Sequence, residues 1–227
     1  MVSAILGVVA AWAIPGVTVT RMSGYYDTTY GGGEFTIKST PWANPVHYSP
    51  LTLVGGGFQS FCVEVTEYIS SGQPYWAELS TEAKLGGAGG GSPDPLSIGT
   101  AWLYKLFAQG QLSGYDYTPG SGRAASARAL QETIWWLEDE IAAMPSNSFS
   151  SMVVAQFGGA ANAKVNYDPS TAGFSVRVIN LYDLDGFGNP DYTKPKQDQL
   201  VYLPDGGLTM VLLGIGMLGV AALRRKG

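Results

Sequence analysis

A mainly β fold, a sandwich or barrel with an inserted helical subdomain and a C-terminal transmembrane helix, is predicted by the order of segments along this 227-residue chain. Short strand-like runs separated by Gly, Pro and Asn turns stand on both sides of two helix-period segments. Strands, then helices, then strands is the order a β domain with a helical insertion would give. An apolar run closed by a basic cluster ends the chain. Apolar residues make up 45% of the sequence, enough for a core, while charged residues make up only 14% against the usual quarter. With 31 Gly, 13 Tyr and 6 Trp, this composition suits an extracellular β-rich protein better than a cytosolic enzyme.

Other classes are excluded by what the chain lacks. A net charge of −5 leaves no basic surface to neutralise phosphates, so nucleic acid is not an expected partner. One His (His47) and one Cys (Cys62) exclude the usual His/Cys zinc site and any intrachain disulfide. No cofactor is expected, and His47 has no partner motif for a hydrolytic triad.

Residues 1–13 are apolar or small from Val2 and end in Ala11-Trp12-Ala13, so they read as a signal-peptide remnant lacking its basic start; a buried first strand or helix is the other reading. Residues 14–203 form the expected ectodomain. Within it, Val17 to Met22, Glu34 to Ser39 and Leu51 to Val54 read as short strands, with Gly31-Gly32-Gly33 and Gly55-Gly56-Gly57 as breaks or bulges. Phe58 to Thr66 alternates, with Phe61, Val63 and Val65 on one face and Ser60, Cys62 and Glu64 on the other.

The helical insertion is expected at about 94–145. Asp94-Pro95 reads as an N-cap and first helical position for a helix over Leu96 to Gln109. Ala127, Leu130, Ile134, Leu137 and Ile141 keep helical spacing in a longer helix from Ala124 to Met144, with Pro145 as its stop. Phe174 to Tyr182 and Gln199 to Leu203 read as closing strands joined by a turn-rich segment from Asp183 to Lys196.

Residues 204–227 read as a sorting signal. Pro204-Asp205-Gly206-Gly207 precedes a run from Leu208 to Leu223. As a helix these sixteen residues reach about 24 Å, a little short of a bilayer span that flanking residues complete. Arg224-Arg225-Lys226 would act as a cytoplasmic stop. This tail resembles the PEP-CTERM class of bacterial sorting signals, in particular its Val-Pro-Asp-Gly-Gly variant, with Leu203 in place of Val. The resemblance implies export in a Gram-negative bacterium, anchoring in the membrane by the C-terminal helix, processing by an exosortase-type enzyme, and delivery to the cell surface or extracellular matrix.

Cys62 alternates with Ser60 and Glu64 rather than with the apolar set, and Gln131 lies on the long helix beside Ala127, Ile134 and Trp135. A small buried thiol and an ordinary buried or solvated Gln are the bland readings. The segments Phe61-Cys62-Val63-Glu64 and Gln131-Glu132-Thr133-Ile134-Trp135 together resemble the bacterial Cys-Gln thioester domains of surface adhesins, with Thr133 where Ala is usual. The resemblance implies that the Cys62 sulfur displaces ammonia from the Gln131 carboxamide to give an internal thioester. An amine on a partner protein or glycan then opens it, leaving a covalent amide. Phe61, Trp135 and Trp136 are implied as shelter; Glu64 is either a proton-handling group or a solvated carboxylate. The reaction is single-use, so the protein would not be an enzyme. The alternative is a structural or polysaccharide-binding matrix protein with an inert Cys62; an exported hydrolase ranks third.

Weaker signals remain. Asp183, Asp185, Asn189 and Asp191 partly match a calcium loop, though Phe187 and Lys194 stand where ligands belong, and a Gly/Asn turn between strands is favoured. Glu138, Asp139 and Glu140 read as a solvated helix face. Tyr25, Tyr26, Tyr30, Tyr75, Trp76, Tyr115 and Tyr117 read equally as a carbohydrate-stacking surface or as local packing.

Overall fold

The computed structural model describes residues 16–40, 53–54, 56–89 and 91–203. The signal-peptide remnant, His47, the sorting motif, the apolar run and the basic stop all lie outside them. Among the described residues no helix is long and apolar enough to cross a membrane.

The chain is mainly β sheet with a few helices. In order, the first strands are β1 (Gly16–Thr20), β2 (Phe35–Thr40), β3 (Leu53–Val54), β4 (Gly57–Ser60), β5 (Pro74–Ser80), β6 (Glu82–Ala83) and β7 (Asp94–Pro95). Helices α1 (Ile98–Ala108), α2 (Ser121–Leu137), α3 (Ser148–Phe157), α4 (Ala160–Ala163) and α5 (Pro169–Ala172) follow, and β8 (Val176–Leu184) and β9 (Pro190–Tyr202) close the chain. Seven strands form one antiparallel sheet in the order β3-β4-β2-β1-β5-β8-β9, while β6 and β7 pair separately.

The sandwich expectation is therefore corrected: there is one main sheet, and it is rolled. Just past β4, Leu200 N–H donates to the Phe61 carbonyl (3.0 Å) and Val63 N–H to that of Asp198 (3.1 Å). The chain at 61–63 thus joins one end of the strand order to the other, which is the barrel-like half of the expectation. Both faces of β8 and of the second half of β9 are buried. Val178 and Leu200 pack with Phe61, Leu103, Phe107, Leu130 and Ile134 under the helices. Ile179, Leu181 and Val201 pack with Val17, Val19, Phe35, Ile37, Phe58, Cys62 and Tyr75 on the opposite face. β1 shows why these sequences make strands: Val17 and Val19 are buried while Thr18 and Thr20 are partly exposed, the period-two pattern of a half-covered strand.

Several local expectations change. The regular strand expected over Phe58 to Thr66 ends at Ser60, and only Cys62 continues as an isolated bridge. Asp94-Pro95 belongs to a two-residue strand rather than a helix start; the cap of α1 is Ser97, whose side chain accepts from Thr100 N–H. The long helix stops at Leu137, well before Pro145, because Asp139 takes a left-handed conformation (φ 61°) and turns the chain inward. The helical stretch continues past residue 145 through α3, where Asn147 caps the first turn and Gly158 ends it. β5 was not anticipated, and the segment expected as a turn from Asp183 to Lys196 is mostly strand, with the turn itself confined to residues 185–189.

Candidate functional site

Cys62 sits at the seam that closes the rolled sheet, and Gln131 sits in the body of α2. The fold brings them into contact although they are 69 positions apart. The Gln131 carboxamide and the Cys62 backbone form a two-bond ring: Gln131 Nε2–H donates to the Cys62 carbonyl (2.8 Å), and Cys62 N–H donates to Gln131 Oε1 (3.3 Å). The Cys62 thiol also donates to Oε1, with sulfur and oxygen 3.3 Å apart. The carboxamide carbon is one C=O length of about 1.23 Å beyond that oxygen, so it lies within about 4.5 Å of the sulfur. Both residues are 0% exposed.

Burial pushes the Cys62 thiol above its ordinary value, and Glu64 adds to the rise; the Trp135 indole N–H and the Arg21 guanidinium act the other way. The resting sulfur is therefore a thiol, held against its acceptor in a dry pocket. Trp135, four residues past Gln131, joins Cys62 in the inner cluster, and its ring meets Tyr30 at a centroid distance of 5.5 Å. Phe61 faces the other way, edge-on to Phe107, and Trp136 lies under Lys164, so neither shelters the sulfur as the resemblance implied.

Sequence reading missed the cover. The triple-glycine segment expected to be a break runs over Gln131: a Cβ built on Gly32 would lie 2.3 Å from Gln131 Cγ and 2.9 Å from Trp135 Cη2. Arg21 donates to the Gly31 carbonyl from one side. From the other side Glu34 forms a two-point ion pair with Arg123 of α2, at 2.7 and 2.9 Å, and accepts from Tyr115 OH at 2.5 Å. At the rim, the Arg128 guanidinium lies 4.5 Å from the Tyr30 ring centroid and pairs with Asp27 and Glu132. Burial, then the Glu132 carboxylate, push the Tyr30 hydroxyl up to about 12. The signals for this cover were the three glycines and an Arg on the long helix, neither of which names a partner by itself.

The carboxylates correct the sequence reading. Glu64 is 1% exposed rather than solvated, and its Oε2 accepts from Asp198 N–H at 3.0 Å. Burial, then the Asp198 charge, push the Glu64 carboxyl well up, and burial raises Asp198 as well. Glu138 and Glu140 are not a solvated face either. Glu138 accepts from Ser97 Oγ (2.6 Å), and Glu140 accepts from Val65 N–H (2.7 Å) and Ala88 N–H (3.0 Å). Only Asp139 of that trio is exposed.

These buried acids predict a pH dependence. Burial pushes Glu138 up to about 7 in spite of its Ser97 hydrogen bonds, and it pushes the half-buried Glu67 to about 7. A carboxyl whose pKa is higher folded than unfolded favours folding while protonated; that contribution is lost as pH rises from its unfolded value of 4.5 through the folded one. Of these two Glu138 contributes more, since solvent screens Glu67; the buried Glu64 and Asp198 carboxyls, also raised, act in the same direction. Thermal melts are expected to show a transition on the order of 5–10 °C lower at pH 8 than at pH 5. A flat or rising trend would contradict the protonated assignment.

The remaining candidates are occupied elsewhere. In the calcium-like segment, Asp183 pairs with Lys196 (3.0 Å), Asp191 pairs with Lys194 (2.8 Å), and Asp185 accepts from Phe187 and Asn189 N–H (both 2.8 Å). Asn189 donates back to Asp185. This is a strand-to-strand turn. Of the aromatic set, Tyr25, Tyr75 and Tyr115 are buried as local packing, while Tyr26, Tyr30, Trp76 and Tyr117 are partly exposed.

No protein-family model matches the chain, and no curated protein does. Among solved structures, it is similar to the N-terminal thioester domain of a surface protein from Clostridium perfringens, with 10% identity and a TM-score of 0.43 over 82% of this chain and 97% of that one. At that TM-score the likeness assigns neither fold nor chemistry, and the functional reading rests on the contact between Cys62 and Gln131.

Proposed function

We propose that this chain is a cell-surface adhesion domain that closes an internal thioester between Cys62 and Gln131 and uses it once, on an amine of a partner protein or glycan. The observation that carries the reading is the Cys62 thiol held 3.3 Å from the Gln131 carbonyl oxygen, with both residues fully buried. The sequence resemblance of the two segments points the same way.

In closure, sulfur bonds to the Gln131 carboxamide carbon, the carbon–nitrogen bond breaks, and ammonia leaves with the thiol proton. Cys62 N–H already donates to the oxygen on which negative charge develops. The Cys62 carbonyl accepts from the nitrogen that departs. In opening, an amine bonds to the same carbon, the carbon–sulfur bond breaks, and the amine's proton returns to sulfur. The dry pocket slows hydrolysis, the competing outcome. The bond is consumed, so the protein turns nothing over. Export and exosortase processing belong to the same proposal and rest on the tail's resemblance.

The purified exported protein is expected to weigh one ammonia less than its sequence and to gain one methylamine on exposure to that reagent. Cys62→Ala should show the full sequence mass and no methylamine uptake. An unmodified wild-type mass with a titratable thiol would overturn the proposal.

A further inference from the structure

The seam places a second buried glutamine across from Cys62. Cys62 and Gln199 are Cα partners in an isolated antiparallel bridge. The hydrogen bonds flanking it join Leu200 to Phe61 and Val63 to Asp198, so the 62–199 pair itself is of the non-hydrogen-bonded kind. In such pairs the two side chains share a face and approach most closely, with Cα atoms about 4.5 Å apart. Gln199 is 0% exposed, and among the described residues neither its Oε1 nor its Nε2 has a hydrogen-bond partner.

The other deeply buried glutamines are all engaged. Gln59 bonds with Thr36 Oγ1, Gln131 with the Cys62 backbone, and Gln197 with the Glu64 carbonyl. Gln199 is set between apolar neighbours instead: Ile179 is its partner on β8, and Val201 stands two positions along β9. An apolar residue would fill that place without an idle amide. One further donor beside the sulfur is idle in the same way. The Trp135 Nε1–H is buried and has no full hydrogen bond. The groups around the Gln131 carboxamide are already served by the Cys62 backbone. The sulfur, once it carries charge, is favoured by the Arg21 guanidinium and the Trp135 indole N–H, and an amide donor across the bridge would add to them.

We propose that Gln199 assists this single-use reaction: its Nε2–H, together with the Trp135 Nε1–H, donates to the Cys62 sulfur while that sulfur is anionic. The inference rests on the thioester reading. When the amine bonds to the Gln131 carbon, the carbon–sulfur electron pair moves onto sulfur, and both donors hold that charge until a proton from the new amide nitrogen neutralises it. Closure runs through the same anion in reverse.

The test compares full-length wild type with Gln199→Leu, Gln199→Met and Trp135→Phe. Removing an unpartnered buried amide while keeping its volume should raise the melting temperature. The same substitution should slow methylamine uptake, followed by intact mass, by roughly 10- to 100-fold; sulfur accepts hydrogen bonds weakly, so the loss falls below that for an oxygen-anion donor. Trp135→Phe should slow uptake in the same direction. If wild type retains its ammonia, the thioester reading fails separately, and alkylation of Cys62 by iodoacetamide reports the thiolate directly; it should slow in the Gln199 variants by a similar factor. A higher melting temperature with unchanged uptake and alkylation rates would overturn the role of Gln199, and Gln199→Met guards against a packing fault peculiar to Leu.

Discussion

Gly32→Ala is expected to abolish thioester formation while Gly31→Ala, one position earlier, leaves it intact. The added methyl at position 32 would lie 2.3 Å from Gln131 Cγ, 3.2 Å from Gln131 Cδ and 2.9 Å from the Trp135 ring. Contacts that short do not survive, so something must move. Gln131 is tied at both ends of its carboxamide to the Cys62 backbone, and Trp135 is wedged against Tyr30. Either the carboxamide leaves the sulfur or the loop lifts from the pocket; both separate the reacting atoms or admit water. Geometry that must be met to within about an ångström makes the chemical loss much larger than the loss of stability. Overpacking of this sort costs about 1–3 kcal/mol. Gly31 has nothing within 4 Å of its Cβ position and is exposed. Neither residue has the left-handed backbone that only glycine tolerates easily, so space alone separates the two variants. Intact mass and methylamine uptake decide the matter: a Gly32→Ala protein that still lacks one ammonia would show that the loop does not seat Gln131.

The part of this site that was legible in sequence is the part written in local pattern. Alternation along Phe61, Cys62 and Val63 put the sulfur on the opposite face from its apolar neighbours, and the two clusters separate them in that way. Helical spacing placed Trp135 one turn past Gln131, where it now covers the sulfur. What pattern does not encode is closure. The strand carrying Cys62 gives no sign that residues 61–63 will pair with β9, so Gln199 could not be singled out among the glutamines. Glu138 and Glu140 are buried rather than a solvated face, and Glu64 is buried too, for a related reason. Charge predicts solvent exposure unless backbone donors are waiting, and those donors, at Asp198, Ser97, Val65 and Ala88, come from segments distant in sequence. The early end of α2 depended on Asp139 adopting a left-handed turn, which nothing in the apolar spacing through Ile141 foretold.

The second large effect is expected at Arg123. Its guanidinium is buried against Glu34 through two hydrogen bonds, lies 4.0 Å from the Tyr25 ring centroid, and also donates to the Tyr117 carbonyl. Burial already outweighs this pairing for Glu34, whose carboxyl is held above its ordinary value. Arg123→Leu would leave that carboxyl inside the protein with Tyr115 as its remaining side-chain partner. Removing one member of a buried pair costs about 3–5 kcal/mol, whereas replacing both by apolar groups can be close to neutral. Arg123→Leu should therefore lower the melting temperature by roughly 10 °C, and the double variant Glu34→Leu/Arg123→Leu should recover a large share of it. The chemical consequence follows from position. Glu34 directly follows the Gly31–Gly33 loop, and Arg123 lies about two turns before Gln131 on α2, so the pair clamps the cover to the helix beneath it. With the clamp gone, water should reach the proposed thioester, and its hydrolysis would leave a carboxylate at position 131 and a free Cys62 thiol. Mass spectrometry of the aged single variant should show that product accumulating faster than in wild type. If Arg123→Leu and the double variant lose the same stability, the two charges are not acting as a pair; if the thioester of Arg123→Leu ages at the wild-type rate, the clamp does not protect it.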